Sequence, residues 1–401
     1  MEHKNILVDL LPVLPGGTNG GAKVWVLELL QNMCAATPNT HWTILVQPNL
    51  NTDFISLPNV RFVAAPGYQV SILFRLSMLM LNKLENYLTL AQYKKLYLWL
   101  DGFRMRAVKK KQYKFDLLFC PFTDPVLYKK NIPTVTIIYD LQFLTYPEFF
   151  SYPDFLHRQQ VIHRACAFAT KIITISDYSK NRVIAMQKLP ADKIKTIYIG
   201  RSKQVVTTDD TILAQWDLKP QQYLIYPANF WKHKNHERLF IAFNAALREQ
   251  KPQLKLVLTG APCARQEFLK IYLQKSQLDK DIIMLDYVAN DELSILLNNS
   301  LALIFPSLYE GFGMPIVEAM ALGVPVLCSN VTALPEIAGD ACLQFAPQSP
   351  ASIKNAILEI YQNDKLRAEL IQKGHQQATK FLNKQKITQE YLDILASTLR
   401  N

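Results

Sequence analysis

The sequence has few of the features that mark disulfide-linked, zinc-binding or membrane-spanning proteins. Its 401 residues include six cysteines, but these are scattered and form neither a C-x-x-C pair nor a Cys/His cluster with zinc spacing. This pattern favours reduced, mostly buried thiols in a cytosolic protein. No run of about 18 uncharged apolar residues occurs, so we expect no transmembrane helix. Asp9 and Pro12 interrupt the first apolar stretch, which predicts a strand there and not a signal peptide.

Signatures of two other kinds of site are also missing. Gly16, Gly17, Gly20 and Gly21 lie in one loop, but without the G-x-G-x-x-G spacing of a dinucleotide-dependent oxidoreductase. No D-x-D follows a predicted strand where it could hold a divalent ion, and the pair at 209–210 falls in a presumed linker. We therefore expect no metal and no resident cofactor.

The bulk composition is that of a folded protein with more than one domain. Apolar residues make up 49% of the chain and charged residues 19%, which argues against disorder. A chain of this length exceeds one ordinary core, so two domains are expected. The net charge of +11 favours phosphorylated ligands, anionic lipid and nucleic acid without choosing among them. We expect no nucleic-acid partner.

Short apolar runs alternate with helical stretches, which predicts an α/β fold with parallel sheets covered on both faces. Predicted strands cover residues 5–8, 42–46, 117–119, 134–138 and 171–175, then 223–226, 254–258, 282–285, 302–305 and 325–328. Predicted helices cover residues 22–34, 158–169, 235–247, 264–274, 291–298 and 315–321. These series predict two Rossmann-like, doubly wound domains, residues 1–200 and 201–380, with residues 381–401 forming a final helix.

One stretch, residues 65–114, departs from this alternation. It is rich in Leu, Tyr and Met and holds ten Lys/Arg against two acidic residues. Basic amphipathic segments can lie on an anionic membrane surface. The alternative is a pair of ordinary helices that pack on the core and leave their lysines in solvent.

The most informative segment is residues 306–321, PSLYEGFGMPIVEAMA, which follows a predicted strand and opens a helix. Ligands of open α/β sheets bind at the carboxyl ends of strands. Gly311 and Gly313 allow close backbone approach, and Pro315 suits a helix start. Free N–H groups at that helix start favour an anion such as a diphosphate. Glu310 and Glu318 could accept hydrogen bonds from sugar hydroxyls, and we expect Glu318 on the first turn of the helix.

The E-x7-E spacing with its internal GFG resembles the retaining glycosyltransferases of the GT-B fold, the glycosyl transferases group 1 family with its bacterial mannosyltransferases. The resemblance extends over roughly residues 5–345. It implies two Rossmann-like domains that face a deep cleft, with the acceptor bound by the first domain, the nucleotide sugar by the second, and the final helix crossing back. It also implies that Glu318 holds the donor ribose and Glu310 lies against the hexose. The backbone of Gly311, Phe312, Gly313 and Met314, next to Pro315, would then meet sugar hydroxyls or phosphate.

Other segments match the family with some departures. The resemblance implies that Gly16, Gly17, Gly20 and Gly21 pack against the donor diphosphate. In YPANFWKHKNH, residues 226–236, Lys234 matches the phosphate-binding lysine, whereas Asn229 stands where the family has arginine. A lysine there can stabilise a leaving diphosphate, and Lys232 or His233 could supply what Asn229 cannot.

The first domain carries a second departure. The family's His-Asp pair is Tyr139-Asp140 here, so no imidazole is available at that position. Asp140 could contact the acceptor or order its loop, and Tyr139, His157 and Arg158 are expected on the acceptor side, with helix packing as the alternative. Val288 matches the segment whose backbone meets the nucleotide base. The candidate catalytic residues are thus Glu310, Lys234 and Asp140.

The resemblance implies a retaining, metal-independent hexosyltransferase of surface polysaccharide synthesis, cytoplasmic or peripheral on the inner membrane face. GDP-mannose is the first expectation for the donor, and a UDP-hexose or UDP-N-acetylhexosamine the next. The acceptor would be a saccharide or a lipid-linked saccharide. Other interpretations are an inactive nucleotide-sugar-binding homologue, a sugar-nucleotide epimerase and a glycan phosphorylase. The last needs a pyridoxal cofactor, for which we find no convincing site.

Overall fold

The structure, a computed structural model, describes residues 1–13, 20–48, 50, 55–64, 72–84, 87–109, 113–200, 211–250 and 253–400. Gly16 and Gly17 of the glycine-rich loop lie outside the described residues, as do positions 209–210. Within the described ranges, no helix combines the length and the apolar character needed to cross a bilayer.

The first of two parallel sheets contains seven strands among the described residues, in the order β3-β2-β1-β4-β5-β6-β7. Its strands are β1 (Asn5–Asp9), β2 (His41–Val46), β3 (Val60–Ala64), β4 (Leu117–Cys120), β5 (Thr134–Ile138), β6 (Lys171–Thr174) and β7 (Ile194–Thr196). The helices between them are α1 (Gly20–Ala36), α2 (Ile72–Lys83), α3 (Leu90–Lys109), α4 (Gln142–Thr145), α5 (Tyr152–Phe168) and α6 (Asp177–Gln187). The central strands are almost wholly buried, as expected for a sheet covered on both faces.

The second parallel sheet contains six strands in the described ranges, in the order β10-β9-β8-β11-β12-β13. Its strands are β8 (Tyr223–Pro227), β9 (Lys255–Thr259), β10 (Ile282–Leu285), β11 (Ala302–Phe305), β12 (Val326–Ser329) and β13 (Leu343–Phe345). Its helices are α7 (Thr211–Gln215), α8 (His236–Gln250), α9 (Ala264–Lys275), α10 (Asn290–Asn298), α11 (Met314–Ala321), α12 (Leu334–Ala338), α13 (Pro350–Gln362) and α14 (Asp364–Ala378). One apolar core runs under this sheet from Leu213 to Ala378.

The backbone divides into two compact units. The first comprises Met1–Ile175, Ser179–Ile197 and Gln385–Asn401, and the second Ser176–Tyr178 and Tyr198–Lys384. The last helix, α15 (Lys384–Arg400), therefore packs almost entirely with the first unit. Its buried Tyr391 lies 6.0 Å from Trp25 and 6.4 Å from Phe119, measured between ring centroids.

All ten predicted strands are present within one or two residues of their predicted ends, but β3, β7 and β13 were not predicted. The helix predicted at residues 158–169 begins earlier, at Tyr152. The side chain of Ser151 caps the helix by accepting a hydrogen bond from the backbone N–H of Asp154, and Pro153 lies in the first turn. The segment SYPD therefore favours a helix start at this position.

Candidate functional site

The candidate site lies at the carboxyl ends of β8, β11 and β12 in the second sheet. β8 and β11 are hydrogen-bonded neighbours, although β9 and β10 lie between them in the chain. The strand order therefore reverses at this place, and open α/β sheets bind ligands at such a point because the loops on its two sides diverge. The predicted Lys234 follows β8, and Glu310 follows β11.

Lys234 and Glu310 form an ion pair across this point. Lys234 Nζ donates a hydrogen bond of 2.6 Å to Glu310 Oε1. The side chains are only 12% and 14% exposed, so the pair is largely shielded from water. Lys234 Nζ also lies 5.3 Å from the centre of the Phe305 ring. An ammonium held in this way can exchange its carboxylate partner for a phosphate oxygen of a ligand.

Buried hydrogen bonds fix the loop after β8 to the loop after β11. The backbone N–H of Leu308 donates to the carbonyl of His233 at 2.7 Å. The Tyr226 hydroxyl donates to the carbonyl of Lys234 at 3.0 Å and shares a 3.0 Å hydrogen bond with Ser307 Oγ. Because these groups are buried and satisfied, the loop that carries Lys234 has little freedom to move away from Glu310.

Asn235 is a second fixing residue that the sequence did not identify. Its side-chain amide donates to the carbonyl of Pro306 at 3.0 Å and to that of Pro347 at 2.8 Å. Its backbone φ of 64° lies in the left-handed region, which asparagine tolerates better than most residues. A short polar residue directly after a lysine was the available signal, but its partners lie 71 and 112 residues further along the chain.

The start of α11 requires the glycine that the sequence singled out. Gly313 has φ 109°, and a Cβ atom built there would lie 2.8 Å from Leu334 Cδ2. Helix α11 begins at Met314, so Pro315 is its second residue and not its first. Glu318 is the fifth residue of α11 and lies in its second turn, so the prediction of the first turn was wrong. Its side chain is buried, at 8% exposure.

A hydrogen bond and ring packing fix the other residues of the loop between β11 and α11. The backbone N–H of Glu310 donates to Thr332 Oγ1 at 3.1 Å, which ties the loop after β12 to the loop after β11. Gly311 is buried, and the Phe312 ring packs against Phe381 at 5.5 Å between centroids. The side chain of Phe312 thus belongs to the core, which leaves only its backbone for a ligand.

Asn229, at the family's arginine position, has a structural contact. Its Oδ1 accepts the backbone N–H of Ala261 at 2.9 Å. Gly260 makes this approach possible, since a Cβ there would lie 2.6 Å from the carbonyl oxygen of Ala228. Lys232 is exposed and His233 is partly buried.

A second cation, Arg265, lies near Lys234 and was not identified from the sequence. It stands on the first turn of α9 and pairs with Glu237. Burial lowers the pKa of His236 to about 3, and the positive charges of the nearby Lys234 and Arg265 contribute to this shift. Arg265 is thus a second cation near the segment 226–236, paired with Glu237.

Val288 lies in the loop between β10 and α10 and packs against the core of the second unit. In the same loop Asp286 accepts a 2.9 Å hydrogen bond from Gln266 Nε2. Among the residues that the structure describes, no group of three or more His, Cys, Asp or Glu could hold a metal ion.

The remaining predicted residues belong to the first unit. The Tyr139 hydroxyl donates to the carbonyl of Pro121 at 2.8 Å, and burial raises the pKa of its phenol. Asp140 Oδ1 accepts the backbone N–H of Gln142 at 2.9 Å and so holds the turn into α4. Both follow the carboxyl end of β5. Tyr139 thus has a packing role in addition to its position at a strand end.

The two predicted residues on α5 differ from each other. His157 Nδ1 lies 3.2 Å from the hydroxyl of Tyr97, whereas Arg158 is exposed and pairs with Asp154 at 3.1 Å.

Gly20 and Gly21 begin α1. Gly21 is exposed, and a Cβ atom at this position would have no atom within 4 Å.

A doubly wound sheet with a cation and a carboxylate at its strand reversal has the architecture in which open α/β sheets bind ligands. Residues 208–377 match the family described as Glycosyl transferases group 1. The chain is 31% identical over 251 residues to the O-antigen chain mannosyltransferase B of Escherichia coli, which covers 62% of this chain and 66% of that protein. The match thus spans slightly less than two thirds of that relative.

Solved structures agree over nearly the whole chain. A sucrose-phosphate synthase from Thermosynechococcus elongatus superposes with a TM-score of 0.75 at 18% identity, covering 98% of this chain and all of that chain. HepE of Anabaena, solved with UDP and glucose, gives a TM-score of 0.69 at 17% identity with the same coverage. The fold is therefore GT-B, and residues 208–377 are a glycosyl transferases group 1 domain with mannosyltransferase relatives. The family resemblance drawn from the sequence is confirmed.

Proposed function

We propose that the protein is a glycosyltransferase that moves a hexose from a nucleotide sugar to a saccharide acceptor in surface polysaccharide synthesis. The observation that carries this proposal is the shielded Lys234–Glu310 pair at the strand reversal of the second sheet, inside the segment that matches the family. A cation poised beside a carboxylate suits a ligand that has both phosphate and hydroxyl groups.

In this proposal each charged group acts on a different part of the donor. Lys234 releases Glu310 and stabilises the diphosphate as the bond from its oxygen to the anomeric carbon breaks. Glu310 then accepts hydrogen bonds from hexose hydroxyls, and Glu318 accepts those of the ribose. The acceptor oxygen forms the new bond to the anomeric carbon, and its proton passes to the departing phosphate oxygen.

We propose that Arg265 compensates for Asn229. It stands on the first turn of α9, the helix that follows the neighbouring strand β9, and, like Lys234, it is near enough to lower the pKa of His236. Asp140 and the acceptor-side residues Tyr139, His157 and Arg158 remain proposals from the family pattern. So do retention of configuration, independence of metal, and the part assigned to the four glycines.

For the donor we propose GDP-mannose, because an O-antigen mannosyltransferase is 31% identical to this chain over 251 residues. A UDP-hexose is the second candidate, since HepE was solved with UDP and glucose. A lipid-linked saccharide is the proposed acceptor, with the enzyme at the cytoplasmic face of the membrane.

The first experiment is a thermal-shift panel of GDP, UDP and ADP sugars on wild type, Glu318→Ala and Glu369→Ala. Glu369 is an exposed acid on α14 and serves as the matched control. We expect one nucleotide class to raise the melting temperature of wild type and the control, and not of Glu318→Ala. If all three proteins respond equally, or none responds to any nucleotide, the donor site is assigned wrongly.

Turnover is tested with the stabilising donor and a panel of mannose-containing acceptors. Proton NMR of the product gives the anomeric configuration, and retention is expected. Activity in the presence of a chelator tests metal independence. Binding without any turnover would favour an inactive homologue instead.

A further inference from the structure

The helical hairpin α2–α3 exposes an unusual amount of apolar surface. Among residues whose exposure the structure describes, ten of the nineteen exposed large hydrophobic side chains lie between positions 76 and 103. Single exposed hydrophobic residues are ordinary on any surface, but such a concentration marks an interaction site. Three are aromatic, with exposures of 83% for Tyr87, 59% for Trp99 and 49% for Phe103.

The exposed side chains follow helical spacing on each helix. On α2, Leu76, Leu79 and Met80 are exposed at positions i, i+3 and i+4. On α3, Leu96, Trp99 and Phe103 are exposed at i, i+3 and i+7, and the rings of the last two lie 4.7 Å apart in an edge-to-face arrangement. Each helix thus carries an apolar stripe of its own.

Other faces of the same helices attach them to the first unit. Leu81 of α2 and Tyr93, Tyr97 and Leu100 of α3 are buried in one cluster with Leu156 of α5. The apolar stripes are therefore not needed for packing the hairpin on the domain. They are additional surface that the protein keeps in solvent at a free-energy cost.

The charges on the hairpin are almost all positive. Residues 72–109 contain seven basic residues, Arg75, Lys83, Lys94, Lys95, Arg104, Arg106 and Lys109, against Glu85 and Asp101. Asp101 is buried and accepts a 2.8 Å hydrogen bond from Arg164, so it adds no negative charge to the surface. Lys83, Lys94 and Lys95 are exposed. Lys83 follows Leu79 at i+4 and Lys95 precedes Trp99 at i−4, so these two lysines lie next to the stripes.

We propose that the outer faces of α2 and α3 lie in the interface of an anionic bilayer, with Leu, Met, Trp and Phe in the acyl region and the lysines at the headgroups. Lysine beside leucine and tryptophan is the composition of interfacial helices, whereas protein–protein interfaces are depleted of lysine. The charge of the surface complements anionic lipid. This inference names the surface by which the protein of the proposed function would meet the membrane. Its test does not depend on the donor site, because vesicle binding needs no nucleotide sugar.

The test is co-sedimentation with vesicles of phosphatidylcholine alone and of phosphatidylcholine with about one third phosphatidylglycerol. The variants are Leu79→Ser/Met80→Ser and Trp99→Ser/Phe103→Ser. Phe268→Ser/Ile271→Ser is the control, since these α9 side chains are 54% and 51% exposed outside the hairpin. We expect the anionic vesicles to bind wild type and control alike, and each hairpin variant at least tenfold more weakly.

A pair of charge-reversal variants distinguishes binding to anionic lipid from binding to a protein partner. Lys83→Glu/Lys95→Glu should weaken vesicle binding at least tenfold, whereas Lys275→Glu/Lys280→Glu, a reversal of two exposed lysines near α9, should weaken it much less. Melting temperatures of all variants report folding. The proposal fails if wild type binds both vesicle types equally weakly, or if the hairpin variants bind as wild type does. It also fails if the variants instead abolish a dimer seen by analytical ultracentrifugation.

Discussion

Lys234 and Glu310 are 76 residues apart in the chain, yet Nζ and Oε1 lie 2.6 Å apart at the carboxyl ends of adjacent strands. Both side chains are largely buried, so each charge has lost most of its hydration and depends on the other. An ion pair in this setting contributes little net stability, but removal of one member leaves the other uncompensated. The pair is therefore better understood as a prepared binding arrangement than as a stabilising contact.

The first prediction concerns the stability of this pair. Lys234→Met should lower the free energy of unfolding by about 3 kcal/mol, because Glu310 is left as a buried, unpaired carboxylate. Lys234→Met/Glu310→Gln should recover at least half of that loss. Urea denaturation of wild type, both single variants and the double variant completes the cycle. If the loss in the double variant equals the sum of the losses in the two single variants, the charges do not depend on each other.

The second prediction concerns catalysis by the same lysine under the proposed function. Lys234→Met should lower kcat by about 100-fold or more, because the departing diphosphate loses its nearest cation. Lys232→Met, which removes an exposed lysine two residues earlier, is the matched control and should retain most of its activity. If Lys234→Met changes only KM, then Lys234 contributes to ground-state binding and not to departure of the diphosphate.

The fold was predictable from sequence where strands are buried and was missed at sheet edges. The central strands are continuous apolar runs such as TVTII in β5, which only a buried position explains. The three strands that were missed, β3, β7 and β13, are all edge strands. β3 is only partly buried and the other two have three residues each, so their sequences lack the apolar run that reveals an interior strand.

Individual residues of the candidate site could be predicted from local sequence, but the contacts between them could not. Lys234, Gly313 and Glu310 were identified because their local sequence is distinctive. That Lys234 meets Glu310, and that Arg265 stands nearby, depends on strand order, which no local pattern contains. Glu318 was assigned to the first turn of α11 because the helix was predicted to begin at Pro315. The helix begins one residue earlier, at Met314, which makes Glu318 its fifth residue.

The third prediction tests the backbone at the start of α11. Gly313→Ala should lower the free energy of unfolding by about 1–3 kcal/mol, because φ 109° is unfavourable for alanine and its Cβ would clash with Leu334. Gly102→Ala, in the interior of α3 with no atom within 4 Å of the added carbon, should instead raise it by about 0.5–1 kcal/mol. Chemical denaturation measures both, and a tolerated Gly313→Ala would contradict the strained geometry.

The fourth prediction concerns acid sensitivity from His236. Both ring nitrogens are buried without a hydrogen-bond partner, and burial, helped by Lys234 and Arg265, lowers the pKa to about 3. The unfolded chain therefore binds this proton first as pH falls, and stability is lost below the ordinary histidine pKa, from about 6.5 downward. His236→Phe should remove up to about 1.4 kcal/mol per pH unit of this loss, whereas His163→Phe, at an exposed position on α5, should not. Matching pH profiles of wild type and His236→Phe would contradict the neutral, buried state.

The last prediction has the opposite sign and concerns Asp9, at the carboxyl end of β1. Burial raises the pKa of its carboxyl to about 7, the Leu11 N–H counteracts this in part, and the Asp124 carboxylate adds to it. The folded protein thus binds a proton that the unfolded chain releases near pH 4, so stability falls as pH rises from about 4 to about 7. Asp9→Asn keeps an acceptor for Leu11 without a charge, and it should flatten this decline and stabilise the protein at pH 8 by a few kcal/mol. Asp279→Asn, at an exposed position, should leave the profile as it is. A stability difference between wild type and Asp9→Asn that is constant from pH 4 to pH 8 would show that Asp9 does not titrate in this window.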